Sequence, residues 1–165
     1  MEQLISSLKE VMKAEKDAYI GLLRLSEKKK DVLVKNEVLV LNQIVQEEMA
    51  YLKAIKPLSA ERESILKQIT QTKGIEGSLS MDTVISFANG RIKHELEYLK
   101  QDFNEVVSKL SQYNELNNKL IDTQIQYTSF CIEMLTQNSA SADTYNNAGT
   151  VASNSSRFGL IDQKA

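Results

Sequence analysis

The sequence predicts an all-α protein, an elongated antiparallel helical bundle or coiled-coil hairpin that ends in a disordered C-terminal tail. Three observations carry the prediction. Only six Gly and one Pro occur in 165 residues, so the backbone has few places to turn sharply, which favours long helices. Apolar residues recur at alternating steps of three and four, the spacing that lines one helical face. Hydrophobic residues make up 42% of the chain, enough for one modest core and therefore one domain with an appendage.

The first helix is expected over about 2–34, where Leu4, Leu8, Val11, Ala18, Leu22 and Leu25 form a stripe widened by Ile5, Met12 and Tyr19. The stripe loses phase at Asn36, and Asn tolerates left-handed backbone, so a tight turn is placed at Lys35 to Glu37. A second helix follows over about 37–72, with a seam of Val38, Leu41, Val45, Leu52 and Ile55 that resumes at Ile65, Leu66 and Ile69. Pro57 removes a helical N–H and crowds the preceding turn, so a kink or a restart is expected there. Each stripe carries one acid, Glu15 and Glu48. Folding the hairpin at Asn36 sets Glu48 opposite Arg24 and Glu15 near Lys56, as semi-buried ion pairs that fix register. The competing reading is two solvated glutamates at the stripe edge.

"TKGIEGSLS" reads as the main interhelical loop, with Ser80 as N-cap of a short helix over about 80–89. The strongest periodicity comes next. Ile92, Leu96, Leu99, Phe103, Val106, Leu110, Tyr113, Asn117, Leu120, Gln124, Tyr127, Cys131 and Met134 keep the three-four step without a slip, and Val107, Ile121 and Leu135 flank them. This predicts a helix over about 91–136, on the order of 65–70 Å long. It exceeds the first helix by about 18 Å, so part of its seam lacks cover from that partner. The chain thus divides into a helical domain, 1–137, and a small polar tail, 138–165, with too few large apolar groups to offset the entropy of ordering.

Composition also excludes. A net charge of −2 with acids and bases interspersed offers no basic field for nucleic acid or anionic membrane. No apolar run approaches the roughly 20 residues of a membrane span, and "MEQLISSLKE" lacks the basic start and apolar stretch of a secretion signal. The single Cys, Cys131, makes no internal disulfide, which suits a cytoplasmic location. One His and one Cys do not furnish a catalytic set. His94 and Glu97 share a helical face, but a di-iron bundle needs a second such motif and a second His is absent. His94 is expected at the surface, Cys131 as an apolar filler, and Lys28, Lys29 and Lys30 as a solvated patch near a helix C-terminus. Gly74 and Gly77 lack the strand-loop-helix context of a phosphate cradle. No metal, cofactor or enzymatic activity is expected.

Binding remains, and the last helix supplies its surface. Asn117 and Gln124 interrupt the seam one heptad apart, either restricting which helices pair or marking where the seam becomes exposed. Around them Leu120, Ile121, Tyr127, Cys131, Met134 and Leu135 form a soft apolar strip that suits a partner's amphipathic helix.

The hairpin sequence "LLRLSEKKKDVLVKNEVLVLNQIVQEEMAYLKAI" running on to "AERESIL", with Glu48 and Arg62, resembles the FlgN-type flagellar export chaperones. So does the closing helix "LSQYNELNNKLIDTQIQYTSFCIEML", on whose pattern Asn114, Asn117, Asn118 and Leu120 fall, and a tail with Tyr145 four residues before Gly149. Pro57 departs from the family's unbroken second helix. The resemblance implies a cytoplasmic chaperone of flagellar type III export without cofactors. It would hold the C-terminal helices of hook-filament junction proteins, prevent premature assembly and deliver them to the export gate. The client strip it implies is Asn117, Leu120, Ile121, Gln124, Tyr127, Thr128, Cys131 and Met134. Tyr145, with Gly149 behind it, would dock on the gate's cytoplasmic domain, the alternative being an unemployed linker aromatic. A second reading makes the chain an elongated homodimer, a structural or adaptor protein whose last helix pairs with its own copy. A chaperone would be monomeric or at most a weak homodimer.

Overall fold

The computed structural model describes residues 1–75, 77 and 79–140, and it is all-α: α1 (Glu2–Lys35), α2 (Val38–Lys73), α3 (Met81–Phe87) and α4 (Gly90–Ala140), with no strand among the described residues. Of the expected tail, 138–165, residues 138–140 instead continue α4, and those from 141 onward, with Tyr145 and Gly149, lie outside the described residues. The chain divides into two compact units, Met1–Asp122 and Thr123–Ala165, so the first holds α1 to α3 and the start of α4, and the second holds the rest of α4.

The turn forms where the stripe loses phase. Asn36 is left-handed at φ 56°; its N–H bonds to the Leu33 carbonyl, and that of Glu37 bonds to the Val32 carbonyl. These two hydrogen bonds close α1, and Asn stands in the place that usually takes Gly. Gly74, at φ 64°, ends α2 by the same pattern. Ser80 caps α3 as expected, its Oγ accepting from the Thr83 N–H at 3.2 Å.

α1 and α2 are antiparallel neighbours, and α1 and α4 run parallel. Lys9 reaches Glu95 at 2.9 Å, Lys16 pairs with Asp102, and Ser26 donates to Asn114, all at nearly constant offset. Lys9 and Arg91 hold the Glu95 carboxyl below the usual carboxylate range, and Glu95 in turn raises Lys9. The core gathers at the end that α3 covers. Leu8, Val11, Met12, Ile65, Ile69, Val84 and Leu99 make one cluster, and Ile5, Ile85, Ala88 and Leu96 a second beside it. Smaller clusters continue towards the turn: Leu22, Ile55 and Leu110, then Leu25, Val32 and Ile44.

Four expectations need correction. α2 does not restart at Pro57 but runs through it; Pro57 is exposed, so water can satisfy the carbonyl it deprives of a donor. The buried line of α2 is Ile44, Ile55, Ile65 and Ile69, whereas Val38, Val45 and Leu52 are exposed. The two acids of the stripes do form ion pairs, but with other partners. Glu48 bonds Lys29 at 2.5 Å, and Glu15 bonds Arg62 at 2.8 Å and Ser59 at 2.5 Å. Lys29 consequently leaves the solvated patch and is largely covered.

The new partners follow from side-chain direction. Helical side chains lean towards their own N-terminus. In this hairpin α1 side chains lean away from the turn and α2 side chains towards it. A pair therefore meets when the α1 member lies closer to the turn than its α2 partner. Lys29 is five residues nearer the turn than Arg24, and Arg62 six residues farther from it than Lys56.

Candidate partner-binding surface

Along α4 the seam changes character. Leu96, Leu99, Val106 and Leu110 are buried, and so is Asn117, at 2% exposure. Asn117 Nδ2 donates to the Ser26 backbone carbonyl at 2.9 Å and to Ser26 Oγ at 3.1 Å, while Ser26 Oγ donates to Asn114 Oδ1 at 2.9 Å. Its own Oδ1 has no hydrogen-bond partner among the described residues. Asn117 thus belongs to a polar layer between α1 and α4, facing inward. Leu120 and Ile121, also in the first unit, are half-buried.

In the second unit the remaining strip residues range from half-buried to exposed. Gln124 and Cys131 are half-buried and Thr128 is exposed, while Tyr127 and Met134 are 69% and 48% exposed. Cys131 is a free thiol. Its side chain, one turn from Tyr127, holds that phenol above its ordinary value.

The strip is broader than periodicity alone suggested. Ile125, Phe130 and Ile132 are each more than half exposed, and Leu135 is 69% exposed. At about 100° per residue, the apolar residues from 125 to 135 occupy more than half of the helix circumference. The missed signal is local: "TQIQYTSFCI", residues 123–132, contains no charged side chain. A helical surface that is uncharged and apolar over so wide an arc is normally covered.

A second open stripe lies on α2, where Val38, Leu39, Val45, Met49 and Leu52 are exposed. Between α1, α2 and α4 a cavity of about 260 Å³ is lined by Leu8, Met12, Leu66 and Phe103, with Arg62 and Lys100 also on its wall; both cations are already paired, to Glu15 and Asp82. His94 is exposed and bonds Glu97 at 3.3 Å. Among the described residues no cluster of three potential metal ligands occurs, and no helix is long and apolar enough to cross a membrane. Among the described residues the main open feature is apolar helix surface.

Comparison with known proteins agrees with an α-helical binding protein. The sequence model of the FlgN family, described as FlgN protein, matches residues 1–153. The uncharacterized protein YvyG of Bacillus subtilis (strain 168) is 27% identical over 144 residues, which cover 87% of this chain and 88% of that protein. No solved structure matches.

Proposed function

Since this chain belongs to the FlgN family, a family of flagellar chaperones, we propose that it is a cytoplasmic export chaperone for hook-filament junction proteins. It binds their C-terminal helical segments, prevents their premature assembly and delivers them to the export gate. The observation that carries this reading is the open, uncharged helix surface after Asp122, centred on Tyr127, Cys131 and Met134. An amphipathic client helix laid along it would bury apolar area on both sides, and the absence of charge means that no ion is stripped of water when it docks. Gln124 and Thr128 supply polar contacts that fix the client's register. Asn117 acts one step removed, through the layer it forms with Ser26. Leu120 and Ile121 lie partly open on the first unit.

Delivery is assigned to Tyr145, with Gly149 behind it, as the docking element for the gate's cytoplasmic domain. A weak, releasable contact of this kind suits a cycle in which the client must be handed on. The test is complementation of a strain that lacks the protein. The wild-type chain restores junction-protein secretion. Tyr127→Asp fails through loss of the client complex, and Tyr145→Ala fails with the client complex intact. Normal secretion by both variants would overturn the assignment.

A further inference from the structure

The stripe of Tyr127, Cys131 and Met134 contains a notch. Cys131 is its smallest apolar member, with Tyr127 one turn before it and Met134 and Leu135 one turn after, all three more exposed than the thiol between them. An aromatic or branched side chain fits such a notch, where two sulfurs can contact a ring.

The same chain carries a segment of matching chemistry. "RFGLI", residues 157–161, holds three large apolar side chains within four residues, behind sixteen mostly small polar residues, 141–156. A connection of that length and composition has an r.m.s. span of about 22 Å. The distance back along α4 from Ala140 to Cys131 is about 14 Å, and to Tyr127 about 20 Å, at 1.5 Å per residue. Span and connection match, the condition under which effective concentration is highest, in the millimolar range.

We propose that Phe158, Leu160 and Ile161 dock in cis on the notch at Cys131, between Tyr127 and Met134, covering this surface until a partner displaces them. The short segment binds weakly by itself and is kept in place by its tether. A client helix, with its larger apolar face, outcompetes it. That consequence for client exchange rests on the chaperone reading; the docking itself does not.

The lone thiol is a native reporter. The test measures the rate at which Cys131 reacts with a chromogenic aromatic disulfide in the full chain, without client. The comparison is the triple variant Phe158→Ser, Leu160→Ser, Ile161→Ser, which keeps Arg157 and Lys164 and so keeps the local charge. For an effective concentration of about 1 mM and a segment affinity of about 0.1–0.5 mM, the full chain reacts roughly three- to tenfold more slowly. The protection does not depend on protein concentration, and a peptide of residues 155–165 added in trans slows the variant again. Equal rates for the two chains would overturn the proposal. So would protection that grows with protein concentration, which would put a second copy on the notch.

Discussion

Glu15 and Arg62 bear unequally on stability. Glu15 is buried, whereas Arg62 is more than a third exposed. Arg62→Met strands a buried carboxylate with only Ser59 for company, and such an orphaned charge costs about 3–5 kcal/mol. Glu15→Leu instead leaves an arginine that can turn to water, so the loss is smaller. Urea denaturation of the two variants measures the difference, and equal losses would contradict it. Asn117 makes the opposite case. Its two donated bonds come with a buried acceptor that lacks a donor, and that unmet desolvation offsets much of what the bonds contribute. Asn117→Leu is therefore expected to fall within about 1 kcal/mol of the wild type in the same assay; a larger loss would mean that the polar layer is worth more than its bonds imply. Both acids were legible in the sequence as seam residues. Their partners were not, because facing positions were matched without the N-terminal lean of helical side chains.

At the level of elements, α2 shows why periodicity is necessary and insufficient. It carries two apolar lines, one through Val38, Val45 and Leu52 and another through Ile44, Ile55, Ile65 and Ile69. Both obey helical spacing, and only packing against α1 and α4 decides which is buried. On α4 the expected seam is buried at Leu96, Leu99, Val106, Leu110 and Asn117 and exposed at Tyr127 and Met134, and its one-stripe description hid Ile125, Phe130 and Ile132, which the uncharged run around them could have revealed. The turn at Asn36 and the cap at Ser80 were readable because one residue's conformational preference decides each. The element-level test is a pair of α4 substitutions. Tyr127→Asp replaces an exposed ring and should alter stability by no more than about 0.5 kcal/mol while abolishing client binding. Leu120→Asp, on a half-buried position, should weaken both. Circular dichroism and client titration separate the two effects, and unfolding by Tyr127→Asp would show that the strip is core.

The whole molecule combines a packed helical unit with a second unit whose helix carries several large apolar side chains that are exposed. The first unit holds the buried clusters that stabilise the fold, and no three potential metal ligands gather among its described residues. The second offers surface that is costly to leave in water, which makes partner binding the simplest account of its sequence. Tyr145→Ala extends this to delivery: it should leave the client affinity unchanged and lower secretion, and a normal secretion level would remove the tail from the mechanism.

The central claim, that the open surface of α4 receives a helical client, is tested most directly by size-exclusion chromatography with light scattering. The purified chain is run alone, and then mixed with the C-terminal segment of a hook-filament junction protein from the same organism. The account predicts a monomer or weak dimer that shifts to a one-to-one complex, with the shift lost in Tyr127→Asp. A stable dimer that ignores the segment, with the same α4 surface closed by its own copy, would contradict it.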